Sequence, residues 1–327
     1  LYIEKIKLKR GETMKFLTLN THSWQEEETI FKLQQIAHQI ILGNYDVIAL
    51  QEVNQLIQSV PVSPSELDYF CPVGVQPAVH ADNFAYCLVQ VLAEAGHHYY
   101  WSWALNHIGY DLYEEGNALL AKQPLNSFAH LVSNGASIQD YHTRKILLAQ
   151  TTVADNQGSS QDIWVASCHF SWWAAVEPQA ASQVENQKAV QESPLAKLTA
   201  ASKTSDWQSE SPMSHFKDEW QRLVQHLEGL HEPLYLLGDF NNAAGTPGYE
   251  LVCDSGLVTD AYALANARIG ECTVDKAIDG WSSNREKLRI DYIFVPQNSR
   301  VKWYEVVFDG RKSPVVSDHF GIEVEVE

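Results

Sequence analysis

The chain has 327 residues, a hydrophobic fraction of 45%, a charged fraction of 20% and a formal net charge of −18. That length buries a full-sized core as one large domain or two modest ones, and no run of 18 apolar residues is present to span a bilayer. The acid excess, with no dense Lys/Arg run, disfavours bulk nucleic acid as a partner, because such binders replace phosphate counterions with a positive stripe.

Cys71, Cys87, Cys168, Cys253 and Cys272 form no CxxC pair. This argues against a disulfide framework or a structural zinc site, and the thiols read as unpaired in a reducing compartment. The opening LYIEKIKLKRGETM is basic but lacks the apolar stretch and small-residue cleavage site of a signal peptide. One nucleotide spelling of KRGETM sets a purine-rich, ribosome-binding-like stretch before the Met14 codon. Met14 is therefore expected as the natural start, with 1–13 as translated upstream sequence; without it the formal charge is −20. A cytoplasmic location is expected.

In chain order, KFLTLN (15–20) reads as a strand, and TIFKLQQIAHQII (29–41) as a helix with Ile30, Leu33, Ala37, Ile40 and Ile41 on its apolar face. YDVIALQEV (45–53) is an apolar strand delivering Glu52 at its end, suited to cover on both faces. DNFAYCLVQVLAEAG (82–96) has an acidic cap and a closing glycine, the marks of a helix. The aromatic-rich 97–113 precedes strands at 116–121, 142–153 and 162–170. From 174 to 214 the composition turns polar, which reads as a surface insertion. HFKDEWQRLVQHLEGL (215–230) is helical, with Trp220, Leu223, Val224, Leu227 and Leu230 on one face. A strand at 233–242, a proline-started helix at 246–256 and strands at 287–295, 301–308 and 318–327 complete the set. Many strands with helices between pairs of them fit two sheets packed face to face under helical outer layers; a doubly wound sheet is the competing arrangement.

Six of these strand-like segments end in polar residues: Asn20, Glu52, His169, Asp239 with Asn241, Asp291, and Asp318 with His319. Adjacent strand ends on one rim would make a single site from distant residues. Glu52 and an aspartate supply the hard oxygen ligands that Mg²⁺ or Mn²⁺ prefers. Asn20 and Asn241 can hold phosphate oxygens or water without adding negative charge. His319 can work near neutral pH, with Asp291 or Asp239 fixing its tautomer. His169 can set hydrogen-bonding or positive character beside charge developing on phosphorus. The set suits hydrolysis at phosphorus by in-line attack of water.

LTLNTHSW, DVIALQEV, EGNALLAK, ASCHFSWW, LLGDFNN, RIDYIFV and SDHFGIEVEV, in that order, resemble the endonuclease/exonuclease/phosphatase superfamily of DNase I-like proteins. The resemblance implies a four-layer α/β sandwich with two central mixed β-sheets packed face to face and helices outside, as one domain over 14–327. It implies Glu52 as principal metal ligand, with Asn20 and Asp318 beside the ion, which would be Mg²⁺ or Mn²⁺. It implies that Asp239 aligns or activates water, that Asn241 and His169 contact phosphate, and that His319 is oriented by Asp291. Glu115 matches, more loosely, a residue that orients His169.

Substrate contacts are sought among aromatic and basic residues near these segments: His22, Trp24, Trp101, Trp103, His107, Arg144, Trp172, Trp173 and Lys276. Alternatives stay open for several. Trp101 and Trp103 alternate like one core strand face, Arg144 could form a strand-edge salt bridge, and His22 and His107 could serve local hydrogen bonding. NTHSW, YYWSW, HIGYDLYEEG, HFSWW and FKDEWQRL resemble a bacterial subgroup that includes maltose 6'-phosphate phosphatase. That similarity implies a phosphomonoesterase for a small phosphorylated sugar, with no membrane role and no obligate protein partner. Cleavage of nucleic-acid phosphodiesters and a catalytically silent binding protein are the alternatives. The polar residues 174–214 depart from the subgroup, and read as a lid or as a solvated excursion.

Overall fold

Alternation with a period of two carries most of the architecture. The structure, a computed structural model, describes residues 13–154, 160–171, 212–278 and 284–327. Trp172, Trp173, the expected leader apart from Thr13, and nearly all of the polar stretch 174–214 lie outside the described residues.

Two mixed sheets form the centre. The first has seven strands in the order β10-β12-β13-β1-β2-β4-β3. These are β1 (Met14–Asn20), β2 (Val47–Leu56), β3 (Tyr100–Gly109), β4 (Tyr113–Ala121), β10 (Ala267–Ile269), β12 (Val301–Val307) and β13 (Gly321–Val326). The second has six in the order β5-β6-β7-β8-β11-β9. These are β5 (Asn126–Leu131), β6 (Lys145–Ala154), β7 (Ser160–His169), β8 (Leu234–Asp239), β9 (Thr259–Asp260) and β11 (Asp291–Val295). Phe16, Val47, Ala49, Leu119, Leu147, Val165, Leu237 and Val324 interleave between the sheets as one buried core. Burying each such side chain contributes roughly 1.5–3 kcal/mol.

The outer faces are covered by helices. Helices α1 (Thr29–Gly43) and α2 (Phe84–Glu94) pack on the first sheet through Leu33, Ile36, Ala37, Ile40, Leu88 and Leu92. Helix α3 (Pro212–Leu227) covers the second with Phe216, Trp220, Leu223 and Leu227. The result is the expected four-layer α/β sandwich. Among the described residues, no helix is long and apolar enough to cross a membrane.

Several local expectations are corrected. Ile30 is 61% exposed, and Ile36 takes its place on the buried face of α1. The Asn83 side chain, not Asp82, caps α2 by accepting from the Tyr86 amide. Asp291 opens β11 and Asp318 and His319 precede β13, so these residues do not end strands. They reach the common rim because β11 runs antiparallel to β8, and β13 antiparallel to β1.

Candidate active site

On each inner strand face the apolar alternation turns polar at one rim. Phe16 gives way to Thr18 and Asn20 on β1, Val165 to Ser167 and His169 on β7, and Leu237 to Asp239 on β8. On β11, Ile293 gives way to Asp291 in the reverse chain direction. His169 pairs in register with Asp239, and Asp239 with Asp291, which aligns three functional groups across three strands. Gln51 and Ser167 join the two sheets behind this rim through a 2.9 Å hydrogen bond.

Glu52 reaches the site by a different route. Its neighbours Ile48 and Leu50 face the helices, so strict alternation would turn Glu52 away from the rim. The β2–β4 register shifts between Leu50 and Val53, and Glu52 has φ of 52°. This bulge re-aims the carboxylate, a recurrent device beside functional sites. Gly238 meets a second steric demand: its φ is 139°, and a Cβ there would lie 2.0 Å from the Cys168 carbonyl oxygen.

Asp239 is the centre of the cluster. Its Oδ2 lies 3.2 Å from the donating Asn20 Nδ2, 3.7 Å from His169 Nε2 and 3.8 Å from His319 Nε2. Its Oδ1 accepts from the Asn241 backbone N–H at 2.8 Å. Asn20 Nδ2 also donates to Glu52 Oε1 at 2.9 Å, and His169 Nε2 is 3.9 Å from that same oxygen. His319 Nδ1 lies 2.9 Å from Asp291 Oδ2, an arrangement that fixes the ring and turns Nε2 toward Asp239. Asn241, left-handed at φ 50°, turns its amide to the Phe170 carbonyl and to Asp239. Ser317 Oγ donates to the Asn20 carbonyl and accepts from the His319 amide, locking the two sides of the rim together.

The electrostatics follow from burial and crowding. Burial, then repulsion from Asp291, pushes Asp239 up to about 7. Burial and Glu115 push Glu52 up to about 8. Burial and the positive field of Arg144 hold His169 well below the usual imidazole value. For His319, burial opposes the charged form, but Asp291 and Asp239 outweigh it and hold the ring well above its usual value. The His169 Nδ1 and Asp291 Oδ1 atoms are buried and have no hydrogen-bond partner among the described residues.

Crowded carboxylates with high proton affinity are what a divalent cation relieves. The oxygen donors of Asn20, Glu52 and Asp318 are of the type hard divalent ions take. Asp239, Asp291 and His319 form one group close enough to share an ion, and His22, Glu26 and Asp318 form another. The donor set therefore fits a divalent-metal-dependent hydrolase.

The remaining expected residues divide. Glu115 does not orient His169: it pairs with His107, Nε2 to Oε1 at 3.3 Å, because β3 and β4 put those two residues opposite one another. Arg144 packs behind them, with Nη1 3.3 Å from His107 Nδ1 and donating to the Tyr141 carbonyl at 2.8 Å. Trp101 and Trp103 have no exposed surface and sit in the core under α2, their indoles donating to the Asp68 and Val53 carbonyls. This corrects their place among substrate contacts. Trp24 is half-buried and turned toward Asp82 and Phe84. Lys276 is exposed on a loop, where its carbonyl accepts from the Asn284 side chain, and among the described residues no hydrogen bond or ion pair joins it to the rim. Sequence reasoning missed Glu26, whose i,i+4 spacing from His22 was the available signal, and the roles of Ser317 and of Thr273, which accepts from the Asp291 amide.

A model of the endonuclease/exonuclease/phosphatase family matches residues 27–319, and the chain belongs to that family. Among solved structures, it is similar to an endonuclease/exonuclease/phosphatase family protein from Leptotrichia buccalis. The identity is 29% over 96% of this chain and 99% of that one, with a TM-score of 0.70. A functionally unknown conserved protein from Enterococcus faecalis is 17% identical over 96% of this chain and 99% of that one, with a TM-score of 0.56. A mannosyl-6-phosphatase from Bacteroides thetaiotaomicron is 13% identical over the same shares, 96% and 99%, with a TM-score of 0.55. The last two likenesses concern the fold alone. No curated protein sequence matches the chain.

Proposed function

We propose that the chain is a Mg²⁺- or Mn²⁺-dependent phosphomonoesterase of the cytoplasm acting on a small phosphorylated sugar, such as maltose 6'-phosphate. The observation that carries the hydrolytic half is the convergence of Asn20, His169 and His319 on Asp239 Oδ2, within 3.2 to 3.8 Å. Asn20, Glu52 and Asp318 would hold the ion, which supplies charge neutralisation at the phosphoryl oxygens. Asp239 would orient water and take its proton. His319, steadied by Asp291, would donate to a phosphoryl oxygen, and the neutral His169 would offer a second hydrogen bond. Asn241 would contribute its amide beside them.

A small ester is supported by the acidic chain, with a net charge of −18, which gives a polyanion no general attraction. It is further supported by the near-complete burial of Asn20, His169, Asp239, Asn241 and His319. The five thiols, none of them in a disulfide, support a reducing compartment. The similarity in fold to a protein named a mannosyl-6-phosphatase is compatible with a sugar phosphate. The test is phosphate release from disaccharide phosphates, monosaccharide phosphates and nicked duplex DNA, with and without divalent ion. Ion-dependent release from the disaccharide phosphate above the others is expected. Faster cleavage of DNA would replace the reading with a nuclease, and release from none would make the chain a binding protein.

A further inference from the structure

His22 makes the local hydrogen bond that its sequence allowed, to Glu26, in an unusual backbone setting at the rim. Its backbone is left-handed, with φ of 47°, and the following Ser23 has φ of 30°. Such values are uncommon outside glycine, yet the turn is tightly held. The His22 amide donates to Asn20 Oδ1 at 3.2 Å, and Ser23 Oγ donates to the Glu52 carbonyl at 2.6 Å and accepts from the Asn54 amide. The turn therefore rides on the end of β1, which carries Asn20, and on the bulge within β2, which carries Glu52, so the expectation that Glu52 ends its strand is corrected. It brings His22 Nδ1 to 2.7 Å from Glu26 Oε1 and 3.9 Å from Asp318 Oδ1.

One donor atom from each of these residues lies within 4.8 Å of the others. Ligands held at about 2.1 Å from an ion lie roughly 3 Å apart when adjacent and about 4.2 Å apart when opposite. The 3.9 Å separation of His22 from Asp318 falls within that range, and the 2.7 Å contact with Glu26 is a hydrogen bond whose proton an ion would replace as the two groups part by a few tenths of an ångström. Three carboxylates, Glu26, Glu52 and Asp318, act on His22, and Lys32 Nζ lies 2.5 Å from Glu26 Oε2. The three side chains keep 13–18% exposure, so an ion can enter from solvent. The set mixes one imidazole with two carboxylates. Imidazole nitrogen favours a transition ion over Mg²⁺, which prefers oxygen and water.

We infer that His22, Glu26 and Asp318 form a nitrogen-containing binding site for a divalent transition ion such as Mn²⁺ or Zn²⁺, beside and distinct from the oxygen set on Glu52. The inference adds to the metal-dependent reading above, but its readout is binding and does not depend on hydrolysis of any ester. Its role would be to supply a second positive charge beside Asp318, a residue that the proposed function also gives to the first ion.

Mn²⁺ binding to the full chain, followed by electron paramagnetic resonance, tests it. Spin-echo modulation should show a directly bound imidazole nitrogen. His22→Asn, a residue that tolerates the left-handed backbone, should remove that nitrogen coupling at an unchanged melting temperature. Glu26→Gln should weaken the coupled ion about ten-fold or more. Glu52→Gln should leave the nitrogen-coupled ion in place. No nitrogen coupling in the wild type, coupling that survives His22→Asn, or coupling lost in Glu52→Gln would each overturn the inference. One nitrogen-coupled Mn²⁺ per chain that Glu52→Gln leaves intact would uphold it while removing the Glu52 ion from the proposed function.

Discussion

At the scale of single residues, Asp239 shows how a carboxylate is made useful by its surroundings. It is buried, and it faces a second buried carboxylate, Asp291, across a β-ladder pair. Such a pair is costly unless cations or donors answer it; His319 lies between them, 2.9 Å from Asp291 and 3.8 Å from Asp239. Removing one member should therefore do more than delete a contact. Asp239→Ala and His319→Ala are each expected to lower kcat by about 10²–10³-fold, as loss of one preorganised electrostatic group typically does. Asp291→Asn should cost at least about 10²-fold by releasing the ring orientation of His319. Stopped assays of phosphate release on variants with wild-type circular dichroism check all three, and near-normal turnover in any would remove that residue's role.

A different histidine offers a test unconnected with catalysis. His130 stacks on His226 at 4.1 Å, and burial, then the neighbouring imidazole, lowers its pKa in the folded chain. The unfolded chain then binds more protons below the ordinary histidine value, so this contribution to stability is present above about pH 6.5 and lost as the pH falls. His130→Phe should keep the stack and remove that loss. The melting temperature of the variant is expected to gain on the wild type between about pH 7.5 and 5.5. Parallel curves would show that the pair is not a determinant of acid stability.

At the scale of elements, what was legible in the sequence and what was not have separate physical causes. Period-two alternation along β1, β7 and β8 is local, so the passage from Phe16 to Asn20, or from Leu237 to Asp239, could be read without coordinates. The site side of Glu52 could not, because it depends on a bulge fixed by pairing with β4, more than sixty residues later in the chain. Strand direction was equally hidden: Asp291 and His319 were assigned to the right rim from the wrong strand ends, since antiparallel pairing reverses which end arrives there. The alternation of Trp101 and Trp103 fits a core strand face, but alternation alone does not say which face is covered, so substrate contact and core packing stayed open for both. The packing of α2 decides it. Glu115 and His107 found one another through β3–β4 register, again a non-local fact.

Two substitutions test this layer. Gly238→Ala would press a methyl group onto the Cys168 carbonyl at a backbone φ of 139°, and the strain is expected to cost at least about 2 kcal/mol. Because Asp239 is the next residue, activity should fall together with stability. Leu227→Ala instead removes a buried side chain at the C-terminal end of α3, eleven residues on from Phe216, whose ring packs edge-on against Phe170 beside the rim. Its expected cost is about 2–5 kcal/mol, with kcat largely retained in the folded fraction. Denaturant titration and kcat on the same preparations separate the two outcomes. An undisturbed Gly238→Ala chain would show that β7 and β8 can part without harm.

At the scale of the whole molecule, the two sheets share one apolar core but converge in charge at one rim. Glu52, Asp239, Asp291 and Asp318 are supplied by both sheets or the segments joining them, and a divalent ion held at this rim would favour only the docked arrangement. An unfolded chain keeps these residues far apart in sequence and offers a divalent ion no comparable site. Binding to the folded state alone adds RT ln(1 + [L]/Kd), about 2.7 kcal/mol when the ion is at 100 times its dissociation constant. Millimolar Mg²⁺ or Mn²⁺ should therefore raise the melting temperature, and a chelator should reverse the rise, even without substrate. In Glu52→Gln the unbound protein should melt no lower than wild type near neutral pH, because a carboxyl whose charge is disfavoured at the rim gives way to a neutral amide of the same shape, while the ion-dependent rise shrinks. Scanning calorimetry over an ion titration measures both effects. A wild-type melting temperature indifferent to divalent ions would mean that the acidic rim is balanced by its own hydrogen bonds, and that the two sheets meet there without needing a metal.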